Sequence, residues 1–508
     1  MTATLSKPAR SNWVRSKIVG DSAEGEEYWM GHGSRRAIYE QLFSAEPEGA
    51  KAPADYITGR NLVKNYALIS AYLNAALSSP HKLETFVFYF LRRLVIVNLD
   101  VEQIDVPMVF EVINDRGAPL HPFEILKGKL LGQIDKLEVD SFNDIWEREL
   151  RALEAQEVVD DFFRTYLRGR FASTAKDAKK FDGDYHRVIL DEPYNTTLKL
   201  KENPLGVKEF INGDLCYYAN LFGRLLALGE QPQTEQPYVY FNAKLTDMGT
   251  QLILISAACS RNDRQQEEKI RLVSHLLDRT YVLLQLNKSY DSNGFSELVF
   301  KLASEIRGAR LEDYQTIFES NLLFAISDKR QTVVISPFEY KYFKEVGYQD
   351  LNRTFLRYLF ARVEGFLCHG IGRQMKDSYA NFVRNTGPVN GYHIEHVLAQ
   401  NSENLGWFDG DEEIFERERN RLGALLLLKG RDNESSGNER YADKLKTYVS
   451  TQVWNESLLP DFYKSKLDTR EFLAREGLAF QAIPDRFDAT AVESRSLLLF
   501  ELVKRIWH

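Results

Sequence analysis

A run of His393, Ile394, Glu395, His396, Val397, Leu398, Ala399 and Gln400, then an apolar run from Leu422 to Leu428 and Asn433, brings three chemistries into one span. The first is an imidazole, suited to deprotonating water near neutral pH. The others are a carboxylate and an amide oxygen, hard donors that suit Mg2+ or Mn2+ better than zinc. One such cation can stabilise both a scissile phosphate and its leaving oxygen. Together these residue types describe a one-metal phosphodiesterase site. Two other readings of the same residues stay open. His393 and His396 are also zinc-ligand types, though no cysteine or third histidine stands nearby. Two histidines and a glutamate on an edge strand are equally ordinary surface residues.

The elements that must position this span follow from its pattern. Tyr392 to Leu398 and Leu422 to Leu428 read as strands, and the polar stretch from Lys429 to Gly437 leads into a helix with Tyr441, Leu445 and Tyr448. Strand, loop, strand and helix form a compact frame able to bring a histidine, an acid and an amide together. A last helix is expected from about Ala491 to Trp507. Upstream, residues 140 to 385 read as mainly helical: Leu150 to Leu167, Gln251 to Ala258, Ile270 to Leu286 and the stripe Phe355, Leu359, Phe360, Val363, Phe366 and Leu367 all carry helical spacing. The break at Asn385 to Pro388 predicts a domain boundary there. Residues 35 to 82 read as helical with a loop at 46–53, Leu94 to Leu99 as a strand, and Pro107 to Ile113 as a short helix. A turn over Asn114 to Pro119 then leads to a helix with Pro122 in its first turn.

Composition bounds what these elements can serve. The chain has 508 residues, of which 44% are hydrophobic, enough for a sizeable core and for about three domains. The formal charge of −8 excludes binding of DNA by bulk positive charge. Three separated cysteines, Cys216, Cys259 and Cys368, exclude a disulfide framework and a thiolate zinc site, and fit a reducing cytoplasm. No apolar run reaches the ~20 residues needed to cross a bilayer, since Phe86 to Leu99 is broken by Arg92 and Arg93. The basic first twenty residues read as a frayed terminus, with an organellar leader as the other reading.

The histidine segment resembles the C-terminal nuclease domain of GmrSD-type restriction endonucleases, a branch of the HNH (His-Me finger) nucleases. The likeness rests on Glu395, His396 and Val397; on Gly423, Ala424 and Leu425 to Leu427; on Asn433, Asn438, Lys444 and Tyr448; and on Arg495, Leu499, Ile506 and Trp507 in the final helix. It implies His396 as general base, Glu395 and Asn433 at a Mg2+ or Mn2+ ion, and Lys444 near the phosphate. Upstream, Phe110, Glu111, Asn114, Arg116, Gly117, Leu120 and Lys127 are similar to the end of the family's ParB-like domain. The segment from Asp161 to Arg168 and Phe355 to Leu367 resemble its linking helices. The resemblance implies nucleotide contacts for Arg116 and Lys127; read from the residues alone, the same stretch is a turn with a paired arginine and a solvated lysine.

Three departures from the family pattern matter. The Asp-Gly-Gln-Gln-Arg motif tied to nucleotide hydrolysis is absent, which implies a truncated ParB-like domain, doubtful NTP use by this chain and a companion subunit encoded nearby. Ala399 stands where proline is usual, and Ala424 where the family has asparagine.

The expectation is therefore an α+β, mainly helical protein: a tail over 1–34, a truncated ParB-like domain over 35–132, a helical middle over 133–385 and a ββα-metal nuclease domain over 386–508. The implied activity is metal-dependent DNA cleavage in defence against foreign or modified DNA, with a non-catalytic or split subunit as the alternative. DNA would be tracked by Arg353, Arg357, Arg362, Arg373, Lys376 and Arg384, six bases against Glu364 and Asp377, interleaved with Tyr358 and Tyr379. The acidic stretch Asp409 to Glu418 lies between the two strands.

Overall fold

The computed structural model describes residues 8–22, 25–28, 35–43, 49–53, 56–95, 120–234, 236–432, 438–464 and 467–508. Asn433 and Arg116 lie outside them, as do the helix at 107–113, the turn at 114–119 and all of the strand expected at 94–99 except Leu94 and Val95. The fold is mainly helical. Two strand pairs occur among the described residues: β1 (Val19–Ser22) with β2 (Gly25–Tyr28), and β3 (Tyr392–His396) with β4 (Leu425–Lys429), both antiparallel. The chain divides into two compact units. One comprises Met1–Phe163 and Gly183–Asn220, the other Arg164–Asp182 and Leu221–His508.

In the first unit the helix Pro122–Leu131 opens as its sequence predicts. Pro122 occupies the first turn, and Glu124 accepts the His121 backbone N–H at 2.8 Å. The helix Val139–Ala155 buries Phe142, Trp146, Leu150 and Leu153, spaced three or four apart so that they share one face. Lys127 points to Glu147, its Nζ 3.1 Å from the carboxylate.

The second unit is built on the long helices Gln266–Leu286, Arg353–Gly370 and Ala489–Trp507. Asp278, 0% exposed, ties all three. Its carboxylate accepts from the Tyr358 hydroxyl, from Arg362 at 2.9 Å and from the Trp507 indole N–H at 2.9 Å. A buried carboxylate is tolerated only with such partners, and here each comes from a different part of the chain or a different turn.

The expected boundary at 385–388 does not separate two bodies. The Tyr392 N–H donates to the Asn385 carbonyl at 2.8 Å, and the Tyr392 ring packs on Phe382 with centroids 4.4 Å apart. The chain turns at 385–391, but the helices before it and the strands after it pack into one unit.

β4 is Leu425 to Leu428 plus Lys429, and all four leucines are buried, as expected for a strand covered on both faces. Its outer edge is closed by side chains. The Trp454 indole donates to the Leu425 carbonyl at 3.1 Å and the Asn455 amide to the Leu427 carbonyl at 2.8 Å. The strand expected from Leu422 starts three residues later, because Leu422–Ala424 form a 3-10 turn. Gly423 permits that turn: a Cβ there would lie 2.4 Å from the Ser496 backbone nitrogen in the final helix.

Candidate active site

β3 carries the histidine segment, paired so that His396 faces Leu425 and Glu395 faces Leu426. Successive strand residues point to opposite faces, so Glu395 and His396 look into different surroundings. This alternation corrects the grouping of the two as one cluster.

On one face, Glu395 meets the helix Tyr441–Tyr448. That helix buries Tyr441, Lys444, Leu445 and Tyr448, one stripe at helical spacing. Lys444 thus lies on the apolar stripe. It pairs with the Glu395 carboxylate and donates to the His396 carbonyl at 2.8 Å. The two side chains are 1% and 8% exposed. Burial pushes the Glu395 carboxyl upward, and Lys444 opposes the shift. Lys444 is therefore engaged with Glu395 and does not face a solvent-side phosphate.

On the other face His396 is half-buried. Its Nε2 lies 3.1 Å from Asn420 Oδ1, and the Tyr348 ring packs edge-on with centroids 4.5 Å apart. Asn420 is oriented by its own contacts. Its Nδ2 donates to the Glu416 carbonyl at 2.7 Å, and its carbonyl accepts the Tyr348 N–H at 2.7 Å. Glu416 in turn accepts from Gln400 at 2.7 Å and lies 3.4 Å from Arg419. Burial lowers the His396 pKa to about 4, with Arg419 next among the causes. At neutral pH the ring is uncharged and able to take a proton. Asn420 and Glu416 also line a cavity of about 700 Å3 with Lys344, Gln349 and Arg417.

Sequence reasoning missed Tyr348, Glu416, Arg419 and Asn420. The signal for Glu416 was the acidic stretch Asp409 to Glu418 between the strands, which Arg419 and Asn420 directly follow. The chain between β3 and β4 forms the helices Ser402–Gly406 and Glu412–Arg419, and the second presents Glu416 to the site.

His393 lies apart from His396, its Nε2 3.3 Å from the Gly387 carbonyl, so the two histidines do not converge on one ion. Among the described residues no group of three or more His, Cys, Asp or Glu is placed to hold a metal. Glu395 is taken by Lys444 and Asn433 is outside the described residues. The described donors therefore do not fit the expected Mg2+ or Mn2+ set.

The basic segment is also rearranged. Arg362 is 6% exposed and committed to Asp278, and Tyr358 is buried beside it, which removes both from any DNA-tracking surface. Arg373 pairs with Glu456 at 2.6 Å, Arg384 with Asp247 at 2.6 Å, and Lys376 donates to the Ser450 carbonyl. Arg357 donates to the Val383 carbonyl and Arg353 to that of Tyr348. Lys376 and Arg384 remain exposed and Arg373 partly so. In the first unit Lys127 lines a cavity of about 670 Å3 with Tyr56, Trp146, Arg151 and Glu154.

The site is thus a single neutral histidine at the end of a strand pair, braced by an amide and backed by a helix, in a mainly helical protein. Residues 338–502 match the family described as GmrSD restriction endonucleases, C-terminal domain. The match contains Tyr348, β3, Asn420, β4 and Lys444, and begins upstream of the boundary expected at 386. The stretch over 35–132 read as ParB-like lies outside it. No curated protein matches the chain. Among the described residues no helix is long and apolar enough to cross a membrane.

Proposed function

We propose that this chain is a DNA endonuclease of the HNH type that hydrolyses phosphodiester bonds with His396 as general base. The observation that supports the reading best is the neutral, half-buried His396, anchored through Nε2 to Asn420 inside the region that matches the restriction-endonuclease family. A water beside the ring gives its proton to the imidazole as it attacks phosphorus, the P–O bond to the departing deoxyribose oxygen breaks, and that oxygen takes a proton from solvent. Foreign or modified DNA is the substrate class proposed from the family, acted on in the cytoplasm. Purified chain is expected to nick supercoiled DNA in Mg2+ or Mn2+, and the His396→Ala variant to leave it intact. Parallel reactions in EDTA report the cation dependence. Equal nicking by both proteins removes His396 from the chemistry.

A partner-dependent or non-catalytic subunit is the second reading, favoured by the Glu395–Lys444 pair, which occupies the carboxylate expected at a metal. A companion chain would then supply the missing donors, and the lone chain would not cut under any cation.

A further inference from the structure

We infer that Asn420 is a positioning residue that fixes the proton-accepting atom of His396, an inference that rests on the reading of His396 as the base. One hydrogen-bonded chain links Glu416, Asn420 and His396. Asn420 Nδ2 lies 2.7 Å from the Glu416 carbonyl oxygen, an acceptor only, so the amide nitrogen faces Glu416 and Oδ1 faces His396. An amide oxygen cannot donate, so the ring nitrogen 3.1 Å away, Nε2, carries the hydrogen. A neutral imidazole carries one N–H, which leaves Nδ1 with the free lone pair. Nδ1 has no hydrogen-bond partner among the described residues. Asn420 thus selects one of two tautomers and leaves the other nitrogen as the base.

The rest of the chain keeps Asn420 from turning. Glu416, on the same helix, is fixed by Gln400 and Arg419. Gln400 lies only four residues beyond His396, so the brace leaves β3 and returns to its end. The Tyr348 N–H holds the Asn420 backbone while its ring holds the imidazole edge. The groups facing the His396 ring are therefore Arg419 and Glu416 from one helix and Tyr348 from the preceding loop, while Lys444 acts on it as a charge from the other face of β3. None of their side chains donates a hydrogen bond to the ring, so Asn420 alone among the described residues sets the tautomer. In the wrong tautomer the same ring offers a hydrogen where a lone pair is required.

The test reads the ring directly. Long-range 1H–15N spectra of chain labelled with 15N-histidine are expected to show His396 as the Nε2–H form. In Asn420→Ala a sizeable Nδ1–H population is expected, with kcat for DNA nicking reduced roughly 100-fold and KM little changed. Asn420→Asp keeps an acceptor at the same place, so it retains the Nε2–H form and most activity. Its anionic acceptor stabilises imidazolium, moving the acid limb of the rate profile to higher pH. An unchanged tautomer in both variants overturns the inference whether or not the chain cuts DNA. A tautomer change in Asn420→Ala supports it even if the wild-type chain is inert, and in that case the nuclease reading is what falls.

Discussion

At the scale of single residues, the protonation state of His396 follows from what surrounds it. Burial and the Arg419 guanidinium both disfavour imidazolium, and the Asn420 hydrogen bond only partly opposes them, giving a pKa of about 4. The sign follows directly: above that value the ring is neutral and can accept a proton, and below it the ring is charged and cannot. The nicking rate is therefore expected to lose nothing to this group from pH 8 to about 5, and to fall as pH drops through about 4. A single-turnover rate profile checks it; an acid limb between 6 and 7 would place the base in a wetter setting than the one described. The strand that carries His396 was legible in the sequence, and a histidine beside an acid before a leucine run is an uncommon grouping that drew attention to it. Its partners were not. Tyr348 is 48 residues upstream and Asn420 is 24 downstream, and tyrosine and asparagine are too common to stand out without a fold to bring them in. Glu395 misled for a physical reason, because adjacency in sequence becomes opposition on a strand.

Among elements, the decisive joint is between β3 and the helix Tyr441–Tyr448, made by Glu395 and Lys444. A buried ion pair contributes little net stability when intact, but removing one partner strands the other charge in an apolar setting. Lys444→Met is expected to destabilise the second unit by about 3–5 kcal/mol. Urea unfolding followed by tryptophan fluorescence measures this, and the Glu395→Leu, Lys444→Met double variant is expected to recover much of the loss. If Lys444 instead served mainly to hold a phosphate, the single change would weaken DNA affinity and leave the urea midpoint in place. The helix itself was legible from Tyr441, Leu445 and Tyr448. The position of Lys444 on the same stripe was a sign of burial that charge alone obscured. The basic segment failed in the opposite direction: a count of charges treats Arg362 as surface, while the fold commits it to Asp278.

For the whole molecule, the helical character and the order of strand, strand and helix were legible, since periodicity is local. The expected boundary at 386 was not, because the contacts that erase it join Phe382 to Tyr392 and Tyr348 to His396 across the break. The second unit depends on its buried centre in the same way. Trp507 fills it and donates to Asp278, so Trp507→Ala is expected to cost about 3–5 kcal/mol in urea unfolding and to lower the nicking yield through loss of folded protein. A variant with wild-type stability would show that the indole is dispensable. The closed outer edge of β4 has a separate consequence. Four consecutive leucines, free of charge and proline, would template strand addition between chains if exposed, and in the folded protein the Trp454 indole and the Asn455 amide occupy carbonyls of that edge. Once heat opens those two contacts, the exposed run is expected to pair between chains. Thermal loss is then expected to be irreversible, with an apparent melting temperature that rises with heating rate; melting scans at two heating rates check it, and identical, reversible curves would remove this role from the β4 edge.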